Sequence, residues 1–289
     1  MVSGSQVGDV EHEAVCLRSW SGTSYRLTEL ISDRESQVWR ATSDRGSDVA
    51  IKILSISSGQ AAVRSNLEIE LVAQAALSWH PNVLAVFDAG SARNGSLFVV
   101  TAVASCSLED VRRTGRLAVG SVSQMFWPIA SALWAAHELA IVHGDVKPSN
   151  ILVLEAGRPA LSDFSLASVG TRTSVGLGSP HFMPPEVIEG DPRSAAADVW
   201  SLAATVWALT TGVVPFGPVG SPKEIVMARV GQERLVMPFG LDGSASDALD
   251  AALDADPRCR PSAAELAQAL SRTAEPVEAR SEGSDTPNR

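Results

Sequence analysis

The period of the apolar positions changes about a third of the way along this chain. From Tyr25 to Val103 short runs of apolar and β-branched residues are separated by Gly, Asp, Asn and Ser, the pattern of strands and tight connections. Val49–Leu54 is the most β-rich of these runs, and Leu97–Val103 is a second, ending in an expected hinge near Ala102 and Val103. One interval breaks the pattern: Asn66–Leu77 lacks Gly and Pro and is predicted to be helical. From about Leu108 helical spacing dominates. Gln124–Leu139 places Ile129, Leu133, Trp134 and His137 at that spacing, with Pro128 near the first turns or kinking the helix. Ala195–Phe216 is apolar over a length that suits a membrane span, yet it holds Asp198, threonines, Gly212 and Pro215, and is expected to be a buried helix. Ser262, with Glu265 three positions on, forms a capping box that opens the last helix.

These patterns predict one domain over residues 23–273, with a small part at about 23–102 and a larger part at about 103–273. Residues 1–22 are polar and aperiodic and are expected to be a flexible lead-in. Residues 274–289, rich in Glu, Ser and Pro, are expected to be a disordered tail.

Composition narrows the class. A chain of 289 residues that is 45% hydrophobic and 19% charged can bury a sizeable core. The formal net charge of −10 argues against nucleic acid or an anionic membrane as partner, since both need a basic face, while it permits basic peptide substrates. Cys16, Cys106 and Cys259 are scattered without metal-ligand spacing, which suits a reducing compartment, and Met1–Val10 shows no basic or apolar leader pattern. A cytoplasmic protein without a membrane span is expected; the sequence assigns no oligomeric state.

Lysine is scarce: there are three, and nearly all other basic residues are arginine. Two of the three lie in motif-like runs, Val49-Ala50-Ile51-Lys52 and His143-Gly144-Asp145-Val146-Lys147-Pro148-Ser149-Asn150. A compact ammonium pairs with phosphate oxygens in a tight site where a planar guanidinium does not fit.

Further runs follow in order: Asp163-Phe164-Ser165, Gly178-Ser179-Pro180, Pro184-Pro185-Glu186, Asp198-Val199-Trp200-Ser201-Leu202 and Arg260. Together they resemble the motifs of protein kinases over roughly residues 25–272, most nearly those of bacterial serine/threonine kinases. The resemblance implies an α+β, two-lobed fold with a small β-rich N-lobe carrying one main helix and a larger, mainly helical C-lobe. It implies ATP and Mg²⁺, or Mn²⁺, and a protein substrate with a Ser or Thr acceptor. On these positions Lys52 would grip the α/β-phosphates, held by Glu70, with Glu68 as the alternative. Asp145 would accept the substrate proton, and Lys147 would neutralise the γ-phosphate. Asn150 and Asp163 would bind the metal. Val38, Ala50, Thr101, Val103 and Leu152 would line the nucleotide site, with Ala50 and Leu152 around the adenine and Thr101 behind it. The resemblance also implies that His143 and Phe164 stack, that Glu186 pairs with Arg260, and that Asp198 caps the catalytic-loop backbone.

The chain departs from that pattern in three places. The three glycines expected in the phosphate-covering loop are replaced by Ile31, Asp33 and Ser36, and Asp33 and Glu35 bring carboxylates toward a polyanion, with Arg34 a possible offset. Ser165 replaces the glycine after Asp163-Phe164. Gly144 replaces an arginine that receives an activation-segment phosphate, so Thr171, Thr173 and Ser174 lose a built-in receiver. These departures keep a pseudokinase scaffold with weak nucleotide binding as an alternative. A phosphotransferase of small molecules is a further one, which the Pro184-Pro185-Glu186, Asp198 and Arg260 anchors oppose.

Overall fold

Strand β1 (Cys16–Arg18) starts a six-stranded antiparallel sheet that continues through β2 (Ser24–Ser32), β3 (Gln37–Ser43), β4 (Asp48–Leu54), β5 (Val86–Ser91) and β6 (Leu97–Thr101), in the order β1-β2-β3-β4-β6-β5. The computed structural model describes residues 16–33, 36–54, 71–92, 94–164, 168–169, 179–218, 234–238 and 243–273. These fall into two compact units, one drawn from Met1–Gly59 and Val86–Val103, the other from Gln60–Ala85 and Ala104–Arg289.

In the first unit the alternation expected of strands sorts the side chains. Leu17, Tyr25, Ala41, Val49, Ile51, Phe98 and Val100 form its buried cluster. The ends of the sheet curl toward one another: the Trp20 N–H donates to the Ala89 carbonyl at 2.9 Å, and Ser19 bridges to Gly90. Gly90 is needed there because a Cβ would lie 2.4 Å from the Phe98 ring and 2.9 Å from the Ser19 Cα. Asp88, on β5, draws the residues after β1 inward. Burial pushes its carboxyl up, but donors from Ser19, Ser21, the Ala89 amide and Tyr25 outweigh that and hold it below the usual carboxylate range. Residues 16–22 are therefore ordered sheet and turn, not the flexible lead-in that their polar composition predicts. A three-residue strand with only Leu17 buried carries too short an alternation to be read from sequence.

The second unit is mainly helical. It contains α1 (residues 71–76), β7 (Cys106–Ser107), α2 (Leu108–Thr114), α3 (Val122–Glu138) and the short strands β8 (Ile141–Val142), β9 (Ile151–Val153), β10 (Pro159–Leu161) and β11 (Ser168–Val169). Then come α4 (Pro185–Glu189), α5 (Ala195–Thr211), α6 (Gly243–Ala252) and α7 (Ala263–Thr273). Residues 71–85, expected in the small β-rich part, belong to this unit. Ala73, Leu77 and Val83 sit in its core, and the Gln74 side-chain amide donates to the Leu84 carbonyl at 2.8 Å.

Helix α3 buries Val122, Phe126, Ile129, Ala130, Leu133 and Ala136, each burial of a large side chain contributing about 1.5–3 kcal/mol. Pro128 lies inside this helix and is itself buried. Helix α5 is the apolar stretch of membrane-span length. It is capped by Ser194, whose hydroxyl accepts from the Ala197 N–H, and no helix among the described residues is long and apolar enough to cross a membrane. Its buried Ser201, Thr205 and Thr210 hydroxyls bond back to the Ala197, Ser201 and Val206 carbonyls, so polar groups enter the core already satisfied. The capping box at Ser262 and Glu265 forms as expected, with Glu265 accepting from the Ser262 N–H at 2.8 Å.

Candidate active site

In the sheet unit, pairing across β3, β4 and β6 sets Lys52 opposite Val38 on one side and Val99 on the other, and Ala50 opposite Thr101. Directly paired residues share a face, and Ala50 and Lys52 are two apart, so Val38, Ala50, Lys52 and Thr101 lie on the sheet face opposite Ile51, Val49 and Val100. Ala50 and Thr101 are buried, Val38 and Lys52 half-buried, and Val103 closes the unit. Glu70 and Glu68, expected to hold Lys52, lie outside the described residues, as do Arg34 and Glu35. Strands β2 and β3 are paired up to Ser32 opposite Val38.

In the helical unit the loop between β8 and β9 gathers the polar groups. The Lys147 Nζ is 2.8 Å from Asp145 Oδ2. The Asn150 Nδ2 donates to the Asp145 carbonyl at 2.8 Å and to its Oδ2 at 3.2 Å, while the Ser179 N–H donates to Oδ1 at 3.3 Å. Both carboxylate oxygens are thus oriented, and the side chains of Lys147 and Asn150 are buried around them. The Asp145 N–H donates to His143 Nδ1 at 3.2 Å, so the proton of this ring sits on Nε2, which donates to the Ser162 carbonyl at 3.0 Å. The Phe164 ring packs on it at 4.6 Å between centroids, the contact the resemblance implies.

Asp198 holds the loop from α5. Its carboxylate, 1% exposed, accepts the His143 and Gly144 N–H groups at 2.8 Å each and His137 Nε2 at 2.9 Å. Gly144 has φ 79°, in the left-handed region where glycine carries no Cβ penalty. Its carbonyl accepts from Arg193 Nε at 3.0 Å. Glu186 and Arg260 form a bidentate pair at 2.7 and 2.8 Å, also implied by the resemblance.

Asp163 is half-buried at φ 63°, a left-handed conformation uncommon outside glycine and most tolerated by Asp and Asn. It follows Ser162, whose N–H and hydroxyl both hold the Asn150 carbonyl, at 2.9 and 3.0 Å. Asn150 uses its Nδ2 on Asp145, which leaves Oδ1 as the acceptor, approached by the Ser149 hydroxyl at 3.4 Å. Among the described residues no group of three or more His, Cys, Asp or Glu is placed to hold a metal ion by itself. An amide oxygen and one carboxylate suit instead a hard cation that keeps waters and takes phosphate oxygens as its other ligands.

The structure thus brings Asp145, Lys147 and Asn150 into direct contact and ties Ser162, the residue before Asp163, to the Asn150 carbonyl. It places Leu152 on β9, opposite Ala160 and Ser107. Ser165, Thr171, Thr173 and Ser174 lie outside the described residues. Two contacts carry no sequence signal: His137, which reads only as a helical position and meets Asp198, and Arg193, which meets the loop at Gly144, follows a Gly-Asp-Pro turn and belongs to no motif.

The protein kinase domain family matches residues 33–270. The serine/threonine-protein kinase PknK of Mycobacterium tuberculosis is 39% identical over 173 residues, 57% of this chain and 15% of PknK. A probable serine/threonine-protein kinase of Clostridium perfringens is 32% identical over 221 residues, 72% of this chain and 32% of that protein. PknA of Mycobacterium tuberculosis is 33% identical over 211 residues, 68% of this chain and 49% of PknA. This chain therefore spans less than half the length of each of these relatives.

Proposed function

Because this chain belongs to the protein kinase family, we propose that it transfers the γ-phosphoryl group of ATP to serine and threonine hydroxyls of a protein substrate. The observation that carries this reading is the loop in which Asp145, Lys147 and Asn150 hold one another within 2.8–3.2 Å. In the transfer the bond from the γ-phosphorus to the β-phosphate bridging oxygen breaks, a bond to the acceptor hydroxyl oxygen forms, and ADP leaves. Asp145 takes the hydroxyl proton. Lys147 faces the charge on the transferred group, and Lys52 that on the α/β-phosphates. Asn150 and Asp163 would hold a divalent cation, Mg²⁺ or Mn²⁺, which supplies charge neutralisation at the phosphates. Ala50, Thr101, Val38, Val103 and Leu152 would contact the nucleotide, and Glu70 would hold Lys52. We place the kinase domain at residues 16–273, β1 included, and the protein in the cytoplasm, a compartment that suits the free thiols of Cys16, Cys106 and Cys259.

Purified protein incubated with γ-labelled ATP, Mg²⁺ or Mn²⁺ and a mixed protein acceptor tests the reading. Label is expected on serine and threonine, and Asp145→Asn should lower the rate by about a hundredfold or more. No transfer with either metal, or label on tyrosine alone, overturns it.

The loop without glycines has its own consequence. Ile31, Asp33 and Ser36 each carry a Cβ where close approach of backbone N–H groups to phosphate is expected, and Asp33 adds a like charge. Asp33→Gly with Ser36→Gly is expected to tighten ATP by about tenfold and adenosine by less than about twofold. Calorimetric titration of both ligands into both proteins checks this. Equal changes for the two ligands would mean that the native hairpin already accommodates the phosphates.

A further inference from the structure

We propose that Arg193 is a positioning residue for Asp145: its guanidinium fixes the peptide that joins Gly144 to Asp145 and supplies the cation that position 144 lacks. This rests on the assignment of Asp145 as the proton-accepting group.

The argument starts from Gly144. At φ 79° it sits in a conformation glycine adopts freely, and glycine also leaves that conformation freely, because it has more backbone states than any other residue. The residue after it must hold its carboxylate steady. Both polar atoms of Gly144 are tied down. Its N–H donates to Asp198 Oδ1 at 2.8 Å, and its carbonyl accepts from Arg193 Nε at 3.0 Å. That carbonyl belongs to the same peptide plane as the Asp145 N–H, which donates to His143 Nδ1 at 3.2 Å. Arg193 therefore orients the plane from one side while His143 holds it from the other.

The charges point the same way. Asp145 and Asp198 flank Gly144, and no side chain at 144 can stand between them. Arg193 lines the same cavity as Gly144, Asp145, Ser179 and Asp198. Burial lowers the pKa of its guanidinium, while the Asp145 and Asp198 carboxylates pull it back up. An arginine remains charged throughout the working range, so among the described residues lining the cavity Arg193 is the cation near both carboxylates, and Asp145 has Lys147 as a second partner at 2.8 Å. That arrangement disfavours Arg193 as a receiver for phosphate on the 171–174 segment. A dianion entering there would meet two like charges and compete with the Gly144 carbonyl for the guanidinium.

Arg193→Ala, Arg193→Gln and Arg193→Lys separate positioning from mere structural support. Arg193→Ala is expected to lower kcat about tenfold or more, with the KM for ATP changed less than about twofold and Tm within a few degrees of wild type. Arg193→Lys, which keeps a donor and a charge, should recover most of kcat. Arg193→Gln, which keeps only a donor, should recover less. Amide hydrogen exchange of the 141–150 segment gives a readout independent of catalysis, and Arg193→Ala should speed it about tenfold there with other segments unchanged. If the wild type shows no transfer while exchange rises as expected, the kinase reading fails and the anchoring role of Arg193 stands. Unchanged kcat and unchanged exchange in Arg193→Ala overturn the proposal. So does a phosphatase-treated wild type as slow as Arg193→Ala, which would make Arg193 a phosphate receiver.

Discussion

Asp163→Asn is expected to reduce phosphoryl transfer by about a thousandfold or more, equivalent to roughly 4 kcal/mol of barrier, and to leave the folded state close to wild type. The substitution is chosen for its backbone. Asp163 has φ 63°, and asparagine is, with aspartate, the non-glycine residue that best tolerates that region. The exchange keeps size and conformation and removes one negative charge. A neutral amide is a poor substitute for a carboxylate toward a hard divalent cation, so the loss should appear in the rate and in the metal concentration needed. Transfer is measured against Mg²⁺ concentration beside a urea unfolding curve. A rate near wild type at ordinary Mg²⁺ would show that the metal carboxylate lies elsewhere. A collapsed unfolding transition would show instead that Asp163 acts through the fold.

Glu186→Gln should destabilise the helical unit by about 3–5 kcal/mol, because it strands a buried guanidinium. Arg260 is 8% exposed and is held on every side: Glu186 takes both terminal nitrogens, and the carbonyls of Asp254, Ala196 and Ala255 accept from it at 2.8, 3.1 and 3.3 Å. A glutamine offers one acceptor where the carboxylate offers two, and no charge. The pair joins α4 to the segment before α7, so its loss should also loosen the region after Ser179. The midpoint of thermal unfolding is expected to fall by about 10 °C. The double variant Glu186→Leu with Arg260→Met removes both charges and should lose less than Glu186→Gln alone. A Glu186→Gln loss below about 1 kcal/mol would mean that the guanidinium is satisfied by the three carbonyls.

The legible part of the site is the part that is local. Asp145, Lys147 and Asn150 lie within six consecutive residues, so their spacing alone restricts them to one loop, and the structure finds them in mutual contact. The strands carrying Ala50, Lys52 and Thr101 were readable because each is a short, nearly continuous apolar run rich in β-branched residues, the composition of a strand covered on both faces. The capping box at Ser262 was readable because it obeys a three-residue rule. The sheet's first strand was not, since only Leu17 of Cys16–Arg18 is buried and its neighbours are polar. Nor was the membership of residues 71–85 in the helical unit. Amphipathicity says that a helix buries a face, but not against which partner.

By itself, the sequence determined the division into a strand-rich first part and a helical second part, and the local loop that gathers the polar residues. These follow from periodicity and from spacing over a few residues, where chain connectivity leaves little choice. Tertiary structure decided what meets across long separations. Asp198 reaches the His143 amide over 55 positions, and Arg193 reaches the Gly144 carbonyl over 49. Family resemblance anticipated the first, and no pattern in the chain marks the second. An arginine after a turn is chemically the same whether it faces water or a backbone carbonyl. Only the packing of α5 and the segment before it against the β8–β9 loop places it 3.0 Å from its acceptor, near the Asp145 and Asp198 carboxylates.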